Sequence, residues 1–257
     1  MDNSLNTPAW TWGERRDTKK ILVLNGSPRR GGSATMRVTG AFLRGVTETA
    51  PCEVETLNVS DLHIKPCMGC LSCWGRTEGT CVIPDDDIPA LKQKILDADV
   101  ILLSYPLYFF GMPGTVKVMT DRLLSMLCTY RGQKPVEGES FHGIRYDMSG
   151  KRFLLVSTCG YAQTDLIYDA LLREYDCICG AGGYQALLCP QGKVFSAPEL
   201  RDRTDLFLEK FTRAGEEFAK NGVLSEETLK HLQEPPFNER RFRLLLNKFW
   251  NDEKNGH

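Results

Sequence analysis

The chain has 257 residues, of which 42% are hydrophobic and 25% charged, with a formal net charge of −1 at pH 7. That length allows one α/β domain with extensions or two small domains, and the hydrophobic fraction is enough for a full core. The balanced charge argues against nucleic-acid or anionic-membrane partners. No apolar run reaches the roughly 18 residues that a membrane span needs.

Residues 1–18 form a polar N-terminal extension that lacks the basic-then-apolar plan of a signal peptide. We therefore expect a cytoplasmic protein, and in a reducing compartment its ten cysteines are not expected to form structural disulfides. Several are expected in core or helical positions, where cysteine behaves as a small hydrophobe: Cys52, Cys128, Cys177 and Cys189.

Short apolar segments alternate with helical patterns from residue 20 to residue 189. The predicted strands are 20–25, 53–58, 99–104, 151–157 and 184–189. The predicted helices between them are 34–48, 88–98, 113–127 and 165–177. This alternation predicts right-handed βαβ units and a parallel sheet. After residue 190 the pattern is helical, at 198–221, 225–233 and 238–250, so we divide the chain into 1–18, 19–190 and 191–257.

The first strand leads into a loop rich in Gly, Ser and Thr, at residues 25–35. Glycines let the backbone approach an anion, and the N–H groups that begin the next helix are unpaired and lie at the positive end of its dipole. Hydroxyl donors and positive charge come from Ser27, Ser33, Thr35 and either Arg29 or Arg30. The loop is neither a Walker A sequence nor G-x-G-x-x-G. It predicts a phosphate site, and an ordinary strand-to-helix turn is the alternative.

Four cysteines follow the second strand with the spacing C-x2-C-x2-C-x7-C: Cys67, Cys70, Cys73 and Cys81. Such spacing can supply the four thiolates of a 4Fe-4S cluster, whereas structural zinc more often uses two separate C-x2-C pairs. The long gap before Cys81 leaves the fourth thiol free to move, and that freedom must be lost before four thiolates converge. We expect unligated thiols and keep the cluster as the alternative. Asp85, Asp86 and Asp87 are expected to cap helix 88–98 rather than to bind a metal.

The third strand ends in an aromatic, apolar loop, residues 105–114, which holds two prolines and two glycines. Ligands of doubly wound sheets bind at the carboxyl ends of such strands. The loop suits a flat ring that needs stacking and main-chain hydrogen bonds, and the alternative is a hydrophobic patch that packs on a partner. On the helix that follows, Lys117 and Asp121 are four residues apart and are expected to form a surface pair.

Together these motifs resemble those of the NAD(P)H-dependent FMN reductase family of flavodoxin-like proteins. The matching motifs are Gly26-Ser27-Pro28-Arg29, Pro106-Leu107-Tyr108 with Met112-Pro113, Lys117 with Asp121-Arg122, and Ser157-Thr158-Cys159-Gly160. A subgroup close to the iron–sulfur flavoproteins is matched by Pro66-Cys67-Met68-Gly69-Cys70, Ser72-Cys73-Trp74, Cys81-Val82-Ile83 and Asp85-Asp86. The resemblance covers about residues 19–190.

The resemblance implies a flavodoxin-like, doubly wound α/β fold with a five-stranded parallel sheet in the order 2-1-3-4-5. The helical pattern after residue 190 adds a C-terminal helical extension outside the resemblance. It implies FMN, with the phosphate held by Ser27, Arg29, Ser33, Ala34 and Thr35. The ring would lie against Pro106, Leu107, Tyr108, Phe109, Phe110 and Gly111, with Thr158, Cys159, Gly160 and Tyr161 on its other side. One departure is visible, because many relatives have Asn-Thr where this chain has Ser33-Ala34-Thr35.

The implied activity is transfer of electrons from NAD(P)H through FMN to a small acceptor such as a quinone, a nitro or azo aromatic or free flavin. No side chain is required as a nucleophile or base, and none of the four histidines lies in a matching motif. A homodimer or a dimer of dimers is expected. The alternatives are an iron–sulfur flavoprotein that relays electrons between protein partners, and a non-catalytic flavin or thiol redox sensor.

Overall fold

A parallel sheet of five strands in the order β2-β1-β3-β4-β5 forms the centre of the computed structural model, which describes residues 18–129 and 142–254. The strands are β1 (Lys19–Asn25), β2 (Cys52–Asn58), β3 (Val100–Pro106), β4 (Arg152–Thr158) and β5 (Gln185–Cys189). All neighbouring pairs are parallel, with Val23 opposite Thr56 on one side and Leu102 on the other. The predicted strand order is confirmed.

Seven α-helices flank or extend the sheet within the described residues. They are α1 (Ala34–Thr49), α2 (Ile88–Asp97), α3 (Gly114–Arg122), α4 (Asp169–Cys179), α5 (Arg201–Asn221), α6 (Glu226–Leu232) and α7 (Glu239–Lys254). Two predicted helices are shorter than expected. The helix predicted at 113–127 ends at Arg122 and continues as a 3-10 turn over Leu123–Met126, and the one predicted at 165–177 begins at Asp169. The predicted extension 1–18 lies outside the described residues except for its last residue.

Helices cover both faces of the sheet. Successive residues of a strand point to opposite faces, so each strand contributes side chains to two separate cores. Ile21 and Val23 face a core that includes α1 and α5, while Leu22 and Leu24 face the core beneath α2, α3 and α4. The apolar segments of β1 and β3 are thus explained by two cores, one on each side of the sheet.

The helix pair α1 and α5 packs at unusually close range, and two glycines allow it. A Cβ atom at Gly45 would lie 1.9 Å from the Thr212 carbonyl oxygen, and one at Gly215 would lie 2.0 Å from the Phe42 carbonyl oxygen. Phe211 and Phe218 of α5 are fully buried in the same core. The residues after 190 therefore share the core of the sheet, on the side of α1.

Candidate functional site

The loop after β1 is held between its two neighbouring strands. The Asn25 side chain accepts a hydrogen bond from the Ser27 N–H at 3.0 Å and donates to the Asn58 side chain at 2.9 Å. The Gly26 N–H donates to the Ser104 carbonyl at 2.9 Å. These bonds bring the predicted phosphate loop to the carboxyl end of the sheet in a defined conformation.

Helix α1 begins in this loop with two unpaired donors. Ser33 is its N-cap, and its hydroxyl accepts from the Met36 N–H at 3.0 Å. Within the described residues the N–H groups of Ala34 and Thr35 have no acceptor. Such orphan donors at the positive end of a 16-residue helix are suited to an anion. The N–H groups of Ala34 and Thr35 are therefore open to the predicted phosphate, whereas the Ser33 hydroxyl already accepts a hydrogen bond as the helix cap.

The structure separates the roles of the two arginines in the loop. Arg30 forms an ion pair with Asp61, which directs its guanidinium toward the end of β2. Arg29 is exposed, has no ion pair within the described residues, and its backbone N–H lies 3.4 Å from the Ser27 hydroxyl. Ser27 itself is buried. Arg29 is therefore the arginine available to an anion in this loop.

The aromatic loop after β3 contains a tight, strained turn. Tyr108 and Gly111 exchange backbone hydrogen bonds at 3.0 and 2.9 Å, and the two residues between them, Phe109 and Phe110, have φ values of 47° and 65°. Positive φ at both central positions is the type I′ pattern that glycine and asparagine usually adopt, and it costs a non-glycine residue about 1–3 kcal/mol. The turn leaves the Phe109 side chain 99% exposed.

The loop after β4 joins the other two loops. The Thr158 carbonyl accepts from the Leu107 N–H at 2.9 Å, and the Thr158 hydroxyl lies 2.6 Å from the Thr35 hydroxyl. Beyond it, the Tyr161 ring stacks on the Phe110 ring, with centroids 5.8 Å apart. The three predicted cofactor loops thus meet at one edge of the sheet.

The other predicted members of the site differ in exposure. Pro106, Leu107 and Gly111 are half-buried, Tyr108 and Gly160 are exposed, and Cys159 is buried. Burial raises the pKa of the Cys159 thiol, so it remains protonated at neutral pH. Cys159 can therefore contribute shape and backbone groups to the site but no thiolate.

A fourth segment, which belongs to the predicted C-terminal extension, also reaches this edge of the sheet. After β5, the Gln191 N–H donates to the Tyr161 carbonyl and the Gly192 N–H donates to the Cys159 carbonyl, at 2.9 and 2.7 Å. A Cβ atom at Gly192 would lie 3.0 Å from the Thr158 Cβ. The signal in the sequence was a glycine followed by a lysine, Lys193, just beyond a predicted strand.

The cysteine segment is arranged differently. Cys67 and Cys70 are exposed, Cys81 is half-buried and Cys73 is buried. Burial, together with repulsion from the other three thiolates, raises the pKa of Cys73. In the described ranges, no group of three or more histidine, cysteine, aspartate or glutamate side chains is arranged to hold a metal ion. The thiols lie in one region without forming a ready coordination site.

A buried ion pair anchors the ends of the cysteine segment. Arg122 pairs with Asp86, both side chains are fully buried, and Arg122 also donates to the Lys65 carbonyl at 2.6 Å. Burial alone would raise the pKa of Asp86, but the hydrogen bonds from Arg122 and from the Ile88 N–H outweigh it and lower that pKa. Arg122, which the sequence placed beside a surface pair, is thus a core residue.

The predicted helix cap and surface pair are found, with one change. Asp86 accepts from the Ile88 N–H at 3.2 Å and so caps α2, whereas Asp87 accepts instead from the His63 N–H at 2.7 Å. Lys117 and Asp121 form the expected exposed pair. Of the predicted capping carboxylates, only that of Asp86 accepts from the N–H of a residue in α2, while the N-cap residue Asp87 makes no side-chain hydrogen bond to that helix.

An apolar cavity of about 720 Å³ lies on the sheet face opposite α1. Leu103, Met119, Phe153 and Tyr175 line it, and Cys67 lies at its wall. None of the residues predicted to contact the phosphate or the ring lines this cavity, so it is distinct from the three-loop edge. No described helix has the length and apolarity needed to cross a membrane.

The doubly wound parallel sheet, with a phosphate-type loop before α1, defines the class of flavodoxin-like proteins. A family model described as flavodoxin-like fold matches residues 19–184, and the chain belongs to that family.

Matches to individual curated proteins cover less of the chain than the family model does. An iron–sulfur flavoprotein of Methanocaldococcus jannaschii is 36% identical over 103 residues, which is 40% of this chain and 51% of that protein. An FMN-dependent NADH:quinone oxidoreductase of Burkholderia lata is 29% identical over 124 residues, 44% of this chain and 59% of that protein. The chain thus spans about half the length of the curated relatives it matches.

Among solved structures, an FMN-dependent NADH-azoreductase from Bacillus anthracis, in complex with FMN, superimposes with a TM-score of 0.56. That superposition covers 78% of this chain and 100% of the azoreductase at 17% identity. At that identity the likeness concerns the fold alone.

Proposed function

We propose that the chain binds FMN at the three-loop edge and transfers electrons from NAD(P)H to a small acceptor. The observation that carries this proposal is that, within the described residues, the N–H groups of Ala34 and Thr35 have no acceptor and Arg29 has no ion pair. The same loop contains the buried Ser27, and the aromatic loop meets it at the same edge of the sheet. These donors fit a terminal phosphate monoester. The adjoining loop, with its stacked Phe110 and Tyr161 rings, fits the flat ring system attached to it.

The named relatives support the same cofactor and reaction. The Burkholderia lata relative is an FMN-dependent NADH:quinone oxidoreductase, and the Bacillus anthracis azoreductase is FMN-dependent and uses NADH.

Bound FMN would supply the hydride and electron-transfer chemistry, so the protein would need no side-chain nucleophile or base. The residues of the chain would bind the cofactor and orient its ring. Arg29 and the start of α1 would hold the phosphate, while the loops that contain Leu107 and Gly160 would border the ring. Phe110 and Tyr161 limit water access from the open side.

The proposed acceptor is a small planar molecule, such as a quinone, a nitro or azo aromatic or free flavin, because the mouth of the site is open and aromatic. We further propose a homodimer or a dimer of dimers formed through the same loops. Phe109 is 99% exposed beside the half-exposed Tyr108 and Phe110, which is more aromatic surface than a monomer usually leaves bare. Light scattering at micromolar concentration tests this, and a monomer would contradict it.

A second candidate function is electron relay by an iron–sulfur flavoprotein, and one observation favours it. Several relatives at 30–36% identity carry that name, and this chain has the C-x2-C-x2-C-x7-C segment. Against it, the described thiols are divided between surface and interior. The third candidate function is a redox sensor with metal-free thiols. It predicts that the protein binds a flavin but does not oxidise NAD(P)H.

One experiment separates these functions. The protein is purified without air, its visible spectrum and iron content are recorded, and NADH or NADPH oxidation is then followed with a quinone acceptor. The proposal predicts a yellow protein with about one FMN per chain, no iron and rapid oxidation. Native FAD, or no flavin after reconstitution, would refute FMN binding, because the loop is shaped for a terminal phosphate.

A further inference from the structure

The C-terminal segment places a second cation beside the phosphate loop. Lys193 follows Gly192, whose N–H is bonded to the Cys159 carbonyl at 2.7 Å and whose Cα packs against Thr158. The Thr158 hydroxyl in turn lies 2.6 Å from the hydroxyl of Thr35, one of the residues with an unpaired N–H. Lysine has a flexible four-carbon stem, so its ammonium can reach the start of α1 from this position.

Helix α7 sets the direction of the Lys193 side chain. The ammonium lies 3.4 Å from the centroid of the Phe249 ring, a cation–π contact that holds it above the last turns of α7. Lys193 forms no ion pair in the described ranges. Desolvation, with a smaller contribution from the like charge of Arg29, lowers the pKa of Lys193. The Glu253 carboxylate acts in the opposite direction, but its effect on the Lys193 ammonium is smaller than the repulsion from the Arg29 guanidinium.

We propose that Lys193 is a phosphate-binding residue of the FMN site and that α7, through Phe249, positions it there. This inference rests on the proposed FMN binding. A dianionic phosphate between Arg29 and Lys193 would relieve their mutual repulsion and pair with the orphan donors of α1. The residues after 190 would then contribute to cofactor affinity as well as to the core.

The test compares Lys193→Gln with Lys220→Gln, a matched change at an exposed lysine in the last turn of α5. FMN and riboflavin, which lacks the phosphate, are each titrated by fluorescence quenching. Loss of one charge-assisted bond at a half-exposed site should weaken FMN binding about tenfold. Riboflavin binding should stay unchanged in both variants, and Lys220→Gln should leave FMN binding unchanged.

Two further variants separate charge from packing. Lys193→Arg keeps the charge and should bind FMN within about threefold of the parent protein. Phe249→Leu should weaken FMN binding in the same direction as Lys193→Gln, and it should add nothing in the Lys193→Gln background, because the ring acts only through the lysine.

The results distinguish failure of this inference from failure of the proposed function. If the parent protein binds no FMN, the proposed function and this inference both fail. If it binds FMN and Lys193→Gln binds equally well, only the inference fails. An unchanged FMN affinity with a higher KM for NADPH but not for NADH would overturn it as well, since the cation would then serve a phosphate of the dinucleotide.

Discussion

The phosphate loop, Ser27–Thr35, and the cysteine segment, Cys67–Cys81, both precede a helix, yet they are prepared for a ligand to different degrees. In the loop the donors are mainly backbone N–H groups, and α1 together with the Asn25 and Thr158 hydrogen bonds holds them in place. In the segment the possible ligands are four side chains, two of them exposed and one buried. A site made of main-chain donors exists before its ligand arrives, whereas a site made of side chains requires the ligand to order it.

The largest expected effect concerns the anchor of the cysteine segment. Arg122→Met leaves the buried Asp86 carboxylate unpaired, and we expect a loss of about 3–5 kcal/mol in the free energy of unfolding. Urea unfolding measures the loss, and thiol titration should show faster reaction of Cys73 and Cys81. The double variant Arg122→Met with Asp86→Asn should recover much of the stability, since no buried charge is left. An Arg122→Met midpoint equal to that of the parent would contradict the anchoring role.

The next effect concerns the phosphate loop. Ser27→Ala with Arg29→Ala removes a hydroxyl and a charge that face the proposed phosphate, and we expect FMN affinity to fall about 100-fold. The fold should survive because both residues lie in a loop. Arg30→Ala is the matched control, since Arg30 is paired with Asp61, and it should change affinity less than threefold. Equal affinity of the double variant and the parent, in a fluorescence titration, would place the phosphate elsewhere.

A smaller effect is expected where two of the loops join. Thr158→Val removes one hydroxyl of the buried Thr35–Thr158 pair and leaves the other without a partner, at a cost of about 1–2 kcal/mol. Thermal or urea unfolding measures this. The double variant Thr35→Val with Thr158→Val should regain stability but bind FMN more weakly, because Thr35 also faces the phosphate. If the double variant is less stable than Thr158→Val, the hydroxyl pair is not the stabilising contact.

The smallest expected effect concerns the cysteine segment. Cys70 is exposed, so Cys70→Ser should alter stability by less than about 0.5 kcal/mol and leave FMN affinity unchanged. Protein prepared without air should contain no stoichiometric iron, and its spectrum should match that of the variant. About four iron atoms per chain, lost in Cys70→Ser, would show that the thiols do converge on a cluster and would favour one-electron relay.

Local sequence patterns were sufficient for the framework of the molecule. The apolar segment Ile21–Leu24 predicted a strand, and the Gly and Ser residues before Ala34, with Thr35 after it, predicted a helix start suited to an anion. These features depend on neighbours in the chain, such as side-chain alternation and unpaired N–H groups of a helix start, so the sequence alone reveals them. The resemblance to flavodoxin-like reductases added the strand order, which the structure confirms.

Tertiary structure decided the features that join distant parts of the chain. It buried Arg122 against Asp86, paired Arg30 with Asp61, and placed the Lys193 ammonium over the Phe249 ring of α7. Local patterns do not predict these pairings, because a charged side chain is expected to be solvent-exposed until a partner from another element faces it. The position of Lys193 depends on the backbone hydrogen bonds that Gln191 and Gly192 donate to the loop after β4, and those bonds join segments about 30 residues apart, so they are a property of the assembled fold.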